Sequence, residues 1–93
     1  MSQTVVRTRR LRARGYNELK HLALAIFADR GWLNPPAWAV LAGVYPVRAS
    51  YSYLSKLYRW GLLKRRRDAR GLILYRLSAR GAARLSWLRV RMG

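Results

Sequence analysis

Twenty lysines and arginines share this chain with three carboxylates, a formal net charge of +17 over 93 residues. Whatever it folds into must close an apolar core while holding like charges apart. Such a charge repels itself in any compact state and favours association with a polyanion. Apolar residues nevertheless make up 52% of the chain, more than disordered segments carry. The expectation is one small folded domain whose cations gather on one surface, with nucleic acid as the first candidate partner and anionic lipid the second.

The same counts exclude much chemistry. One histidine (His21), three acids (Glu18, Asp29, Asp68) and no cysteine cannot build a paired-carboxylate site, a thiolate or a multi-ligand metal centre. We therefore expect no enzyme, no metal and no cofactor. No apolar run reaches the roughly 18 residues of a membrane span, and the basic N-terminal stretch lacks the apolar segment of a secretory signal. The expected setting is cytoplasmic and nucleoid-associated, with no membrane contact.

Glycine and proline divide the chain. Residues 1–15, "MSQTVVRTRRLRARG", form a basic arm carrying Arg7, Arg9, Arg10, Arg12 and Arg14, possible contacts to nucleic acid. It is equally readable as a further helix or a tail. Residues 16–93 form the domain. Over 16–30, Leu19, Leu22, Ala23, Ile26 and Phe27 recur with helical period. "NPPAWAVLAG" then reads as a short helix capped by Asn34, opened by Pro35 and Pro36, and closed by Gly43. A three-residue connection leads to a helix over 46–60 ending at Gly61, so the pair is a helix-turn-helix candidate. Leu62 to Lys64 is a short apolar run leading into "RRRDARG", after which residues 72–77 alternate with period two; together they predict a hairpin over 62–77 with its tip at 67–71. Ser78 caps a last helix over 79–91, whose apolar stripe is Ala82, Leu85 and Leu88. The expected class is mainly α with a small β-hairpin, in the order α-α-α-β-β-α.

This order, with the wording "LSKLYRWGLLKRR" and "LYRLSARGAARL", resembles the winged helix-turn-helix family of DNA-binding domains, in particular bacterial and archaeal transcription regulators of the MarR and PadR type. Leu57 to Leu63 is similar to the L-x-x-x-G-L-[LV] ending of that family's recognition helix. Tyr75 to Gly81 is similar to its Y-x-L-[ST]-x-x-G junction between wing strand and last helix. The resemblance spans about residues 33–88. It implies a recognition helix in the major groove and a basic wing on the backbone or in the adjacent minor groove. The chain lacks the extra helices of the larger regulators, so no small-molecule effector is expected.

Plotted at 3.6 residues per turn, the helix over 46–60 turns Val47, Ser50, Leu54 and Leu57 to one side for packing, with Tyr53 at the boundary. Arg48, Ser52, Ser55 and Arg59 take the other side, flanked by Tyr51 and Lys56. Arg48 is the candidate for a bidentate contact to guanine, and Lys56 and Arg59 for phosphates. The wing would add Lys64, Arg65, Arg66, Arg67 and Arg70 at or near its tip, where bound phosphate would displace counterions. Asp68 and Gly71 read as turn formers, and Tyr51 and Tyr58 as packing more than base stacking. Leu72 and Leu74 on the wing's outer face, with Trp87 and Val90 on the last helix, exceed what a small core needs and point to a homodimer surface.

The expected function is double-stranded DNA binding by a transcriptional regulator. The alternatives are an architectural, nucleoid- or chromatin-like binder of low sequence specificity, an RNA-binding domain, and a protein-interaction module on the same fold.

Overall fold

The computed structural model describes residues 16–92, so the arm arginines Arg7, Arg9, Arg10, Arg12 and Arg14 lie outside the described residues. Helix α1 spans Tyr16–Arg30 and closes on Gly31, which sits at φ +82° and donates its N–H to Phe27 O at 2.9 Å. Leu19, Ala23 and Phe27 are buried as the periodicity implies, while Leu22 and Ile26 are only half-buried. Leu24, off that stripe, is fully buried. Its burial follows from tertiary placement: α1 packs against helices on two sides and the hairpin besides, so its apolar arc is wider than one stripe.

Helix α2, Pro35–Ala42, starts where Asn34 Oδ1 accepts the Ala37 N–H at 2.8 Å and ends at left-handed Gly43. Its Trp38 is fully buried between Phe27 and Tyr53, with ring centroids 6.5 and 5.9 Å away. That stack joins three helices and is the centre of the core.

Helix α3, Arg48–Arg59, begins two residues later than the proline suggests. Pro46 O and Val47 O accept from Ala49 and Ser50 N–H groups in a tighter turn that precedes it. Ser50 Oγ donates to Val47 O at 2.6 Å and approaches Pro35 O at 3.3 Å, so a buried hydroxyl fastens the start of α3 to the start of α2. Gly61, at φ +80°, then reverses the chain into the hairpin.

Strands β1, Leu63–Arg67, and β2, Ile73–Leu77, pair antiparallel with Leu63 opposite Leu77 and Arg67 opposite Ile73. Sequence periodicity did not reveal a third participant. Leu33 exchanges two hydrogen bonds with Tyr75, 2.9 and 2.8 Å, along the free edge of β2. A single residue is too short to show alternation, yet it ties the hairpin to the segment between α1 and α2.

Helix α4, Ala79–Met92, opens at Ser78, whose Oγ accepts the Gly81 N–H at 2.9 Å and donates to Gly61 O at 2.6 Å. The buried stripe of α4 corrects the sequence expectation at one place: Ala82 is exposed and Gly81 takes its position beside Leu85 and Leu88. A Cβ at Gly81 would overlap the Leu62 carbonyl and come within 2.9 Å of Leu77 Cδ1. Only glycine lets α4 approach the turn that closely. The result is a mixed α+β unit in the order α-α-α-β-β-α.

Candidate nucleic-acid interface

The two faces of α3 differ as the helical wheel implies. Ser50, Tyr53, Leu54 and Leu57 are buried. Arg48, Tyr51, Ser52, Lys56 and Arg59 are exposed, and Ser55 is half-exposed. Arg59 Nη1 lies 3.4 Å from Ser55 Oγ, one turn back along the same face. No acid stands between Val47 and Arg67, so this face carries one sign of charge. The acids of the chain are engaged elsewhere: Asp29 with Arg30 at 3.3 Å, Asp68 in the hairpin turn, and Glu18 on α1.

Asp68 Oδ1 accepts the N–H groups of Arg70 at 2.8 Å and Leu72 at 3.0 Å. Gly71 takes φ +85°, and Arg67 Nη1 donates to its carbonyl at 2.8 Å. The turn-forming roles expected of Asp68 and Gly71 are thus explicit. The five hairpin cations are spread along the hairpin, with Arg67 and Arg70 at the expected tip and Lys64 farthest from it. Lys64, Arg65, Arg66 and Arg67 run the length of β1, and only Arg70 lies in the turn.

Strand geometry then separates them, since alternate side chains point to opposite faces. Arg65 lies over the Tyr58 ring of α3 at 4.1 Å, and Arg67 lines a groove with Tyr51, so these two share the side of α3. Arg66 lies over Trp32 at 4.3 Å on the other face, which Lys64 shares by the same alternation. The cross-strand partner of Arg66 is Leu74, which is half-buried; of the two leucines expected on the outer face, only Leu72 is exposed, at 49%. Exposed cation–aromatic contacts are worth about 0.5–1 kcal/mol each and hold these guanidinium planes in place. Tyr58, half-buried against Tyr75 at 6.4 Å, packs as expected, whereas Tyr51 is 52% exposed.

Between hairpin and helices lies an apolar groove of about 290 Å³, lined by Pro35 and Pro36 at the start of α2, Tyr51 on α3, and Arg67, Leu72 and Ile73 on the hairpin among others. It brings the first turn of α3 and the hairpin to one concavity. The remaining candidates divide along α3. Turning about 100° per residue, Tyr51 and Tyr58 occupy the hairpin flank, Arg48, Ser52, Ser55 and Arg59 the middle, and Lys56 the opposite flank. There Lys56 Nζ lies 5.7 Å from the Trp60 ring. Arg59, at the end of the helix, also borders a second cleft with Lys20, Arg80 and Arg84. Sequence reading did not single out those three; for Arg80 and Arg84 the one signal was the absence of any acid near them in the sequence, and Lys20, two residues from Glu18, had none.

Trp87 and Val90 on α4 are exposed, as expected from the size of the core. Among the described residues there is no cluster of three metal-ligating side chains, and no helix is long and apolar enough to cross a membrane. No protein-family model, curated protein or solved structure matches the chain.

Proposed function

We propose that the chain is a double-stranded DNA-binding protein of winged helix-turn-helix type, acting as a transcriptional regulator. In this reading α3 enters the major groove and the hairpin is the wing, following the backbone or entering the adjacent minor groove. The observation that carries it is the acid-free exposed face of α3 with the arginine-bearing hairpin beside it, the two meeting at the Tyr51–Arg67 groove. A duplex is the partner that can meet both at once, because its major groove is about 12 Å wide and admits one helix.

Arg48, in the first turn, reads guanine edges; Tyr51, Ser52 and Ser55 lie where they reach bases or sugar–phosphate, and Lys56 and Arg59 neutralise phosphate. In the wing, Arg65, Arg67 and Arg70 meet the backbone nearest α3. Lys64 and Arg66, on the other face, meet the opposite wall of whatever groove the hairpin enters. The arm arginines add contacts of the same kind. The exposed Trp87 and Val90 would serve pairing of two copies.

Selection from random duplex DNA at near-physiological salt tests this. A two-fold symmetric enriched motif is expected for a dimeric regulator. Enrichment of no motif, with binding retained, would replace it by the architectural reading, which two serines and one well-placed arginine on α3 leave within reach. Arg48→Ala should then lower affinity for the enriched motif by about 1–3 kcal/mol and spare unrelated duplexes. Equal loss on every sequence would reduce Arg48 to a backbone contact.

A further inference from the structure

At the end of α3 remote from the hairpin groove, three helices converge on a second cleft of about 340 Å³. Its lining is Lys20 from α1, Arg59 and Trp60 from the end of α3, Leu62 beyond it, and Arg80 and Arg84 from α4. Among the described residues, four cations and no carboxylate line it. It is also built on a rigid corner. Gly61 reverses the chain at φ +80°, Ser78 Oγ donates to Gly61 O at 2.6 Å, and the Ser78 N–H donates to Leu62 O at 3.1 Å. Arg80 packs over Gly61, so that a Cβ there would lie 3.3 Å from Arg80 Cδ. Lys20 is buried, with its Nζ 5.2 Å from the Trp60 ring. A cluster of like charges held this way gains free energy from an anion, and arginines one helical turn apart offer forks that match phosphate oxygens.

We infer that this cleft seats a backbone phosphate of the duplex, on the strand opposite the one met by the hairpin. The inference rests on the duplex-binding reading above and extends it to residues outside α3 and the hairpin. Its geometric basis is a width. Arg65 sits over Tyr58 on the hairpin flank of α3, while the cleft adjoins Trp60, which Lys56 meets on the opposite flank, and a helix with its side chains is about 10–12 Å across. The major groove is about 12 Å across. A helix lying between the two strands then has a cationic seat at each wall, Arg65 and Arg67 on one side and Arg80 and Arg84 on the other. The basic surface continues along α4, where Arg84 lies 5.3 Å from the Trp87 ring and Arg91 5.0 Å.

The test is duplex binding against salt for Arg80→Gln/Arg84→Gln, beside Arg65→Gln/Arg67→Gln, with phosphate-ethylation interference on each strand of a 25-bp probe. Losing two phosphate contacts should lower the log–log salt slope by about 1.8 and erase interference on one strand of each half-site only, the hairpin pair erasing it on the other strand of that half-site. Arg80→Lys/Arg84→Lys keeps the charge and should keep the slope; if the glutamine pair does not fold by circular dichroism, Arg84→Gln alone takes its place, with an expected fall in slope of about 0.9. A slope changed by the hairpin pair but not by the α4 pair overturns the cleft and leaves duplex binding standing. Equal weakening of interference on both strands of a single half-site by the α4 pair also overturns it, since a diffuse charge effect does not seat a phosphate. If neither pair alters the slope, the duplex reading itself fails and the cleft with it.

Discussion

The two strands of the hairpin are bonded to each other residue for residue and could hardly be less alike. β2, "ILYRL", buries Tyr75 and half-buries three more side chains, and it takes hydrogen bonds on both edges, from β1 and from Leu33. β1, "LKRRR", anchors through Leu63 alone and leaves four successive cations exposed. The lesson is a division of labour within a single pairing. β2 supplies the apolar area and the register, and β1 borrows both, so its side chains are free to be all of one charge. An edge strand lined with lysine and arginine also resists pairing with other chains, so the residues proposed to meet DNA also guard the free edge of the hairpin.

The sharpest way to break this comparison is at Tyr75. Tyr75→Ala removes a 97%-buried ring and should destabilise the fold by about 3 kcal/mol, read from the urea midpoint. A loss below about 1 kcal/mol would deny β2 its anchoring role. Gly81→Ala tests the close approach of α4 to the turn that launches β1. Overlap with the Leu62 backbone cannot be relieved by a rotamer change, and about 2 kcal/mol should be lost. Asp68→Ala frees two turn amides into solvent and should cost about 1 kcal/mol, with amide exchange accelerating at Arg70 and Leu72 before it does elsewhere.

Least effect on stability belongs to β1. Arg65→Gln/Arg66→Gln/Arg67→Gln loses two ring contacts and the Arg67–Gly71 hydrogen bond and relieves repulsion among like charges; the terms oppose, so the fold should change by less than about 1 kcal/mol. The same variant should lower the salt slope of duplex binding by up to about 2.7, at about 0.9 per phosphate contact. A large stability loss with an unchanged slope would invert the contrast between the strands.

Much of the architecture was legible in the chain because the signals are local. Proline and Asn34 open α2, glycines close three of the helices, and Asp68 with Gly71 shapes the turn. The two faces of α3 followed from its period alone. What escaped was non-local. Leu24 needed the helices on either side of α1, Ala82 exchanged places with Gly81 because α4 meets a carbonyl, and Leu33 joined β2 from more than forty residues away. The hairpin cations were foreseen as a group; their assignment to two faces required the register.

By itself, then, the sequence determined the element order, the sign of the surface and which side of α3 is apolar, since each depends on residues near one another along the chain. Only the tertiary structure decided which cations stand together. Arg65 and Arg67 join Tyr51 beside α3, while Arg59, Arg80, Arg84 and Lys20 meet at its far end. Charge is a property of a residue, but a site is a property of distances. Those were set by the buried Trp38 stack and the Ser78–Gly61 corner, which no local pattern of charge encodes.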